Sequence, residues 1–247
     1  MSDDGRDERS ERFRSEFLQA VSHELATPLT PIAGYLRILR SEKLGPLNER
    51  QAKVVDAILQ STERLTRVLD NLVDFANLET GRTHLRRERV EPRAVAEACI
   101  GGLRAAARNR RISLDLLDES GGRQLVADAG KLRQALGNLV ENAVRFSPAG
   151  GSVLVAIRQE GDGVVFSVFD QGTGVPAEEQ ERIFEPFVHA ARAGEAERAP
   201  GAGLGLPVAR AIAAAHGGRL WVESPPRLAP EGVAHRYGGA CFSLLVP

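Results

Sequence analysis

The chain has 247 residues, of which 43% are hydrophobic and 26% charged, and its 33 acidic side chains nearly balance 32 basic ones. This length predicts one large domain or two ordinary ones, with a buried core. The net charge of -1 excludes the cationic surface typical of nucleic-acid-binding proteins, so we expect no nucleic-acid partner.

Cysteine and hydropathy patterns narrow the class of protein further. The two cysteines, Cys99 and Cys241, have no neighbours at metal-binding spacing, which argues against a disulfide scaffold and a zinc site. No apolar run approaches the roughly 20 residues that a membrane-spanning helix needs. The polar N-terminus also differs from a signal peptide. We therefore expect a cytoplasmic protein with no membrane segment.

The N-terminal third of the chain carries a heptad pattern. Residues 1–14 are charged and predict a solvated lead-in, whereas apolar residues recur every seven positions between residues 15 and 81. A break at residues 44–46 divides this region into two helices, which predicts an antiparallel helical hairpin. The apolar stripe on each helix is wider than one partner helix covers, so we expect two hairpins to form a four-helix bundle. The predicted seam consists of Leu18, Leu25, Ile32, Leu39, Ser22, Leu29 and Leu36 on the first helix, and of Val55, Thr62, Leu69, Ala76, Ile58, Leu65 and Leu72 on the second.

Residues 82–247 mix short β-like runs with helical patterns, which predicts a second domain with a sheet covered by helices on one side. The predicted fold class is thus multi-domain, with an α domain followed by an α+β domain. Two irregular stretches interrupt the pattern: residues 188–200, expected to be a mobile loop, and Pro225–Gly239, expected to be a surface excursion. The predicted strands are Ile112–Leu117, Leu125–Ala127, Val153–Arg158, Val164–Asp170, Leu220–Glu223 and Cys241–Val246, and the predicted helices are Pro92–Arg108, Lys131–Phe146 and Leu206–Ala215.

His23 is the first candidate for chemistry. The seam places His23, Glu24 and Thr27 on the outward side of the first helix, with the histidine and the threonine one turn apart. A histidine on a helix surface is usually only solvated. Here, however, Pro28 follows about one turn later, where a proline costs about 3 kcal/mol and kinks the helix. The neighbouring Glu24 carboxylate is placed to orient the imidazole ring or to accept its proton.

A second group of candidates lies on a predicted helix of the second domain. Asn138 and Asn142 are one turn apart on this helix, which Asp128 is placed to cap, and Arg145 follows Asn142 by three residues. Two amides among apolar turns are costly to bury without partners. For the pair alone, exposed or internally bonded amides are the simpler interpretation.

Two glycine motifs complete the candidates. Asp170 ends a predicted strand and is followed by Gly172 and Gly174, which would let a flat ligand approach the backbone, although such a motif is more often an ordinary turn. The segment GAGLGLP, residues 201–207, opens a predicted helix, where amides and the helix dipole favour an anion. Because it matches neither a Walker A loop nor a Rossmann fingerprint, it is a phosphate-binding candidate of another kind.

In order and spacing, these elements resemble the motifs of sensor histidine kinases over about residues 10–247. SHELATPLTPIAGYLRIL resembles the phosphoacceptor box, and LGNLVENAVRFS, DQGTGVP, RIFEPFVHA and GAGLGLPVARAIAAAHGG resemble the N, G1, F and G2 boxes. The resemblance implies that residues 15–81 form the dimerisation and histidine phosphotransfer hairpin. It also implies that residues 82–247 form the catalytic ATP-binding domain, a two-layer α/β sandwich with a mixed sheet (the Bergerat-type fold shared with gyrase and Hsp90).

For the reaction, the resemblance implies a homodimer that phosphorylates His23 with ATP and Mg²⁺ and passes the phosphoryl group to an aspartate in the receiver domain of a response regulator. Glu24 would help to activate the imidazole. Thr27 would position the water that removes phosphate from the regulator, so regulator phosphatase activity is also expected. Regulation would come either from a separate sensor partner or from a sensor in a longer chain of which this is the cytoplasmic end.

For the metal and the phosphates, the resemblance implies that Asn142 coordinates the Mg²⁺ that bridges the ATP phosphates, with Asn138 supporting it. Arg145 would contact phosphate, and Phe146 would pack near the adenine.

For the base and the glycine loop, the resemblance implies that Asp170 accepts a hydrogen bond from the adenine amine. Gly172 and Gly174 would shape that pocket, and residues 189–200 would form the ATP lid. The residues that would line the phosphates are Gly201, Gly203, Leu204, Gly205 and Leu206.

Three positions depart from the family pattern. Ala26 replaces a common arginine, which would alter regulator contacts. His189 stands where an arginine often contacts phosphate, and Arg192 or Arg198 in the lid would compensate. Pro207 replaces a small residue, but proline suits the first turn of a helix.

Two alternative functions remain: an ATPase module of the gyrase and Hsp90 type that drives a conformational cycle, and a nucleotide-sensing dimer without kinase activity. The ATPases lack a heptad hairpin bearing His-Glu-x-x-Thr-Pro. The intact Asn142, Asp170 and glycine motifs argue against binding alone.

Overall fold

The structure is a computed structural model that describes residues 25–80, 83–188, 203–226 and 237–247. The chain divides into two compact units, Met1–Thr83 and His84–Pro247. The first unit is helical in its described part and the second combines helices with β-sheet, which confirms the predicted fold class.

The first unit is a helical hairpin in its described part. Helix α1 covers residues 25–40 and helix α2 covers Glu49–Glu79. A capping box starts α2, because the side chain of Asn48 accepts from the backbone of Gln51 at 2.9 Å and the Gln51 side chain accepts from the Asn48 backbone at 3.0 Å. These reciprocal bonds satisfy two donors that would otherwise lack partners at the helix start.

Two exposed ion pairs show that the helices run antiparallel, as the heptad pattern predicts. Arg37 pairs with Glu63 at 2.9 Å. One turn later on α1, Arg40 pairs at 2.7 Å with Asp56, which lies two turns before Glu63 on α2. Exposed pairs of this kind contribute about 0–1 kcal/mol each, so the apolar seam has to supply most of the stability of the hairpin.

Only part of the predicted seam is covered within one chain. The line of α2 formed by Val55, Thr62, Leu69 and Ala76 is buried, with each side chain at most 8% exposed. The second line remains open, since Ile58 is 45% and Leu65 is 44% exposed. On α1, Leu36 is buried whereas Leu25, Ile32 and Leu39 are exposed.

The second unit contains one five-stranded sheet and one two-stranded sheet. Its elements in chain order are β1 Glu88–Val90, α3 Pro92–Asn109, β2 Ser113–Glu119, β3 Leu125–Ala127, α4 Ala129–Phe146, β4 Ser152–Glu160, β5 Gly163–Phe169, α5 Gly205–Ala215, β6 Arg219–Glu223 and β7 Cys241–Val246. The strand order in the larger sheet is β2-β4-β5-β7-β6, with β2 and β4 parallel and all other neighbours antiparallel, so the sheet is mixed as predicted. The smaller sheet pairs β1 with β3.

Helices α3, α4 and α5 form one layer on the larger sheet. Helix α4 packs between α3 and α5 and reaches β4 and β5, while α5 contacts β6 and β7. Alternate residues of β4 and a stripe of α4 fill the space between the two layers because a strand repeats every two residues and a helix every 3.6. The fully buried side chains there include Val153, Val155, Ile157, Leu132, Leu136, Leu139 and Val140.

The structure corrects two details of the predicted second domain. Strand β1 was not predicted, and it forms because Glu88–Val90 pairs with β3. The predicted surface excursion Pro225–Gly239 is wrong at its C-terminal end, where Tyr237 is 3% exposed and lies 6.2 Å from the Phe169 ring. Residues 189–200 of the predicted mobile loop lie outside the described residues.

Within the described ranges, no helix is long and apolar enough to cross a membrane.

Candidate functional site

Helix α4 carries the first group of site residues. Asp128 caps the helix as predicted, because its carboxylate accepts from the Lys131 backbone at 3.0 Å. Partial burial alone would raise the pKa of Asp128, but backbone N–H groups of Lys131, Arg86 and Gly130 donate to its carboxylate and hold the pKa below its usual range.

Asn142, Arg145 and Phe146 lie together near the C-terminal end of α4. All three are half-buried. The guanidinium of Arg145 donates to Oδ1 of Asn142 at 2.6 Å and lies over the Phe146 ring, 4.6 Å from its centroid. The contacts therefore hold an amide oxygen, a cation and an aromatic ring side by side at the end of the helix.

The side chain of Asn138 contacts the start of α5. Its amide Nδ2 donates to the backbone carbonyl of Gly205 at 3.0 Å, so it joins the middle of α4 to the first residue of α5. Asn138 thereby fixes the position of the glycine loop relative to Asn142, which lies one turn further along α4.

Asp170 is fixed at the end of β5. Its side chain is 4% exposed, and its Oδ1 accepts from the backbone N–H groups of Gly172 at 2.8 Å and Ala240 at 3.0 Å. The Asp170 backbone also donates to the Ala240 carbonyl at 2.9 Å. A buried carboxylate with this many fixed contacts has a well-defined direction, which suits recognition of a ligand by a single hydrogen bond.

Two predicted glycines near Asp170 are required by close backbone contacts. A Cβ on Gly172 would lie 2.9 Å from the backbone oxygen of Phe146. Gly174 has φ of +76°, and a Cβ there would lie 2.5 Å from Oγ of Ser224. A side chain at either position would push the segment after Asp170 away from α4 or from Ser224.

Gly239 and Ser224 complete this part of the site, and the sequence analysis missed both. A Cβ on Gly239 would collide with Oδ1 of Asp170, so only glycine fits there. Ser224 accepts from the backbone of Val175 at 2.8 Å and donates to the Gly239 carbonyl at 2.9 Å. The pair of glycines at residues 238–239, directly before the last predicted strand, was the available signal for Gly239, whereas nothing local marks Ser224.

The glycine loop is described from Gly203 onwards. Gly203 has φ of +66°, and its carbonyl accepts from the backbone of Phe187 at 3.0 Å, while Phe187 itself has φ of +64° and is 59% exposed. A Cβ on Gly203 would lie 2.9 Å from the backbone of Phe187, so glycine is required. Gly205, by contrast, has only ordinary contact space toward Asn138, at 3.6 Å.

The N-terminus of α5 is open to an anion. Its N-cap residue is Leu204, which is 1% exposed and makes no side-chain hydrogen bond to the helix start. Leu206 is half-buried and Pro207 is buried in the first turn, as the pattern predicts. The first backbone N–H groups of α5 therefore have no side-chain cap from Leu204, and the helix dipole favours negative charge at this end.

The two cysteines take no part in this site. Burial raises the pKa of the Cys99 thiol and of the Cys241 thiol to about 12, so neither is a reactive thiolate at neutral pH. The described residues also contain no group of three or more His, Cys, Asp or Glu side chains that could hold a metal ion. A cation here would need oxygens from its ligand in addition to an amide such as that of Asn142.

Several predicted residues cannot be placed. His23, Glu24 and Gly201 lie outside the described residues, as do His189, Arg192 and Arg198 of the predicted lid. Thr27 lies on α1 and is exposed, in agreement with its predicted outward position.

Two family models match the chain. The model of the His Kinase A (phospho-acceptor) domain matches residues 13–81. The model of the histidine kinase-, DNA gyrase B- and HSP90-like ATPase matches residues 127–247. The first range includes His23, and the second includes Asn142, Asp170 and the glycine loop.

Curated relatives cover most of the chain. It is 36% identical over 212 residues to the histidine protein kinase DivJ of Caulobacter vibrioides, which covers 85% of this chain and 35% of DivJ. It is 34% identical over 237 residues to the alginate biosynthesis sensor protein KinB of Pseudomonas aeruginosa, which covers 96% of this chain and 37% of KinB. The chain thus spans about a third of the length of these relatives.

Solved structures share the architecture. Full-length ShkA in complex with AMPPNP aligns with a TM-score of 0.72 at 30% identity, covering 94% of this chain and 45% of that one. The histidine kinase ThkA in complex with the response regulator protein TrrA aligns with a TM-score of 0.61 at 22% identity, covering 99% of this chain and 66% of that one. At that identity the second likeness shows the fold alone. These likenesses confirm a helical hairpin followed by a two-layer α/β sandwich.

Proposed function

Since the chain belongs to the sensor histidine kinases, we propose that it is an ATP-dependent protein-histidine kinase core that phosphorylates itself on His23. One observation carries this proposal: the phospho-acceptor model and the ATPase model match the same chain, in that order. A phospho-acceptor domain is not expected in an ATPase of the gyrase or Hsp90 type.

The second unit would bind the nucleotide. The open N-terminus of α5 and the cation of Arg145 suit the phosphates, while the fixed carboxylate of Asp170 suits an exocyclic amine. Oδ1 of Asn142 is a half-buried amide oxygen, which together with phosphate oxygens makes a donor set that Mg²⁺ accepts. The metal would neutralise phosphate charge, and Asn142 would be its protein ligand.

Phosphoryl transfer would use residues from both units. A ring nitrogen of His23 would attack the γ-phosphorus of ATP, so that an N–P bond forms while the bond from phosphorus to the ADP oxygen breaks. Glu24 would accept or orient the proton that the imidazole gives up. The second unit contributes by holding the phosphates and their charge, since catalysis of phosphoryl transfer depends mainly on position and electrostatics.

The active form would be a homodimer through the helical hairpin. The open seam line with Ile58 and Leu65 on α2 and with Leu25 and Ile32 on α1 is the apolar surface that a second copy would cover. Four such stripes close into a four-helix bundle.

The phosphoryl group would then pass to an aspartate in the receiver domain of a response regulator. Thr27 is exposed on α1 close in sequence to His23 and would position the water that hydrolyses the aspartyl phosphate of the regulator and releases inorganic phosphate. Either a separate sensor partner or a sensor in a longer chain would control the balance between the two activities.

The proposal is tested with γ-labelled ATP and Mg²⁺ on the wild-type chain and on His23→Gln. We expect acid-labile phosphate on the wild type, none on the variant, and equal binding of the ATP analogue AMPPNP by both. ATP hydrolysis without phosphoprotein would favour the ATPase alternative. AMPPNP binding with neither activity would favour a nucleotide-sensing dimer.

A further inference from the structure

A buried histidine joins the ends of α4 and α5 that lie away from the proposed phosphate contacts. His216 follows the last residue of α5 and is 4% exposed. Its Nε2 lies 3.0 Å from the backbone nitrogen of Asp128, and its Nδ1 lies 2.8 Å from the carbonyl oxygen of Ile212. A backbone N–H can only donate and a carbonyl can only accept. The ring is therefore neutral, with its hydrogen on Nδ1.

This bond has a counterpart at the opposite end of α5, where Asn138 donates to Gly205. At 1.5 Å per residue, the two bonds are separated by about 15 Å along α4 and by about 16 Å along α5. The two helices run antiparallel, because the later residue on α4, Asn138, contacts the earlier residue on α5, Gly205. Since the spacings agree, both bonds form at once and α5 is tied to α4 near both of its ends. If one bond is lost, α5 can tilt or slide about the other.

The α4 side of the His216 bond is anchored independently of the histidine. The Asp128 carboxylate accepts from Lys131 at 3.0 Å and from the backbone of Arg86 at 3.0 Å. At the end of α5, the exposed guanidinium of Arg87 donates to the Ala215 carbonyl at 3.3 Å, which is a long contact to the segment before β1 and not to α4. Because Asp128 keeps its own contacts when the histidine is replaced, α5 is the element that would move.

Movement of α5 would displace the glycine loop at its start, which is proposed to contact the phosphates. Gly205 is the first residue of α5, and its carbonyl accepts from Asn138, which lies one turn before Asn142 on α4. We propose that His216 is a positioning residue for nucleotide binding, whose Nε2 holds α5 in register with α4 and so sets the place of the glycine-loop amides relative to Asn142. This inference rests on the proposed function, since ATP is the ligand whose affinity it concerns.

Two substitutions of His216 distinguish the hydrogen bond at Nε2 from the hydrogen bond at Nδ1. Asn at position 216 keeps an amide near Nδ1 for the Ile212 carbonyl but has no atom at Nε2. Gln places an amide oxygen near the Nε2 position, where it can accept from Asp128. Titration calorimetry with AMPPNP and Mg²⁺ on the full chain should give a dissociation constant about tenfold higher for His216→Asn, because a buried donor loses its acceptor. His216→Gln should stay within about twofold of the wild type.

Kinetics and imidazole NMR give readouts that a purely structural role would not move. For His216→Asn, the KM for ATP should rise with little change in kcat, as expected for loss of binding that substrate and transition state share. In the wild-type chain, ¹⁵N chemical shifts should show a neutral His216 ring with its hydrogen on Nδ1. The NMR measurement holds even where the Asn variant fails to fold.

The outcomes distinguish this inference from the proposed function. A wild-type chain that does not bind AMPPNP overturns the proposed function itself. Binding by the wild type, with Asn and Gln variants that are equally weak or equally strong, overturns the role of His216 and leaves the kinase assignment standing. A charged ring, or one with its hydrogen on Nε2, overturns the role as well.

Discussion

The two units differ in how much of their apolar surface one chain can cover. In the α/β unit, strands β4 and β5 are buried along most of their length and α4 lies between two helices and the sheet. In the helical unit, one line of α2 is buried while Ile58 and Leu65 are nearly half exposed. Covering such side chains gains about 1.5–3 kcal/mol for each one that is fully buried. The comparison teaches that the described part of the α/β unit covers most of its apolar side chains within one chain, whereas the hairpin leaves a line of apolar side chains exposed.

The bonds that hold each unit together differ in the same direction. Exposed ion pairs such as Arg37–Glu63 join the helices of the hairpin. The α/β unit has exposed ion pairs as well, such as Arg93–Glu97, but it adds buried contacts to the backbone, including those of Asp170 and His216. Exposed pairs are weakened by salt, whereas buried hydrogen bonds are not. Nucleotide binding should therefore be robust in a monomer, while histidine phosphorylation should depend on association.

The strongest way to break the α/β unit alone is Asn142→Asp. The new carboxylate would pair with Arg145, now 2.6 Å from Oδ1, and would repel the phosphates that this cation serves. We expect kinase activity to fall roughly 100-fold with no change in dimerisation, measured by phosphorylation assay and by sedimentation.

Gln134→Glu is the matched control for Asn142→Asp, because it adds the same charge to the same helix away from Arg145. Equal losses in both variants would show that helix charge, and not the Asn142 amide, is responsible.

The helical unit alone is broken by the double substitution Ile58→Glu with Leu65→Glu. Two charges in the open seam line should raise the dimer dissociation constant at least 100-fold, because each would have to be buried without a partner. Sedimentation should show a monomer at micromolar concentration, while AMPPNP binding stays within about twofold.

Gln60→Glu adds charge to the exposed side of α2 outside the seam and should leave the dimer intact. A double variant that still sediments as a dimer would place the interface elsewhere.

Thr27→Ala sharpens the comparison inside the helical unit. The hydroxyl carries no charge and belongs to a different unit from the nucleotide residues, so autophosphorylation should stay within about twofold. Removal of phosphate from a purified phospho-regulator should slow about tenfold, since the water would lose a positioning contact.

The control for Thr27→Ala is Thr30→Ala, which changes an exposed threonine on the same helix whose hydroxyl donates to the Ala26 carbonyl at 3.1 Å. If the two alanine variants dephosphorylate the regulator equally fast, Thr27 has no special role.

The smallest effect is expected for Asp128→Asn in the α/β unit. Because the folded carboxyl has a lowered pKa, its charged form stabilises the fold above the unfolded value and this contribution is lost as pH falls through the folded pKa. The variant should be about 1 kcal/mol less stable than the wild type at pH 7, because Asn lacks the charge and keeps only one of the two oxygens that accept from Arg86 and Lys131. The difference should shrink toward pH 3, measured by urea unfolding at both pH values.

A difference between Asp128→Asn and the wild type that grows on acidification would contradict the lowered pKa. Asp162→Asn changes an exposed carboxylate of the same unit and serves as the control.

Sequence patterns predicted the regular elements well because these depend on local periodicity. The strands Leu125–Ala127 and Cys241–Val246 are confirmed at both ends, and the helix starting at Pro92 ends within one residue of its predicted end. The sequence analysis missed β1 because Glu88–Val90 has no apolar run and forms a strand only by pairing with β3.

The contacts that orient the site residues could not be read from local patterns. The partner of Asn138 is Gly205, and Asp170 is held by Ala240, so each bond joins residues far apart in the chain. The requirement for glycine at position 239 likewise follows only from the three-dimensional approach to Asp170. The resemblance supplied the residue types, and the structure supplies their partners.

The place of β7 in the sheet also sets an order of events during synthesis of the chain. β7 lies between β5 and β6, and Ala240 immediately before it holds Asp170. The contacts that fix Asp170 therefore cannot form until residue 240 has left the ribosome, whereas the hairpin needs only neighbouring sequence and emerges before the α/β unit. A nascent chain can thus meet a second copy through its hairpin before it is able to bind ATP.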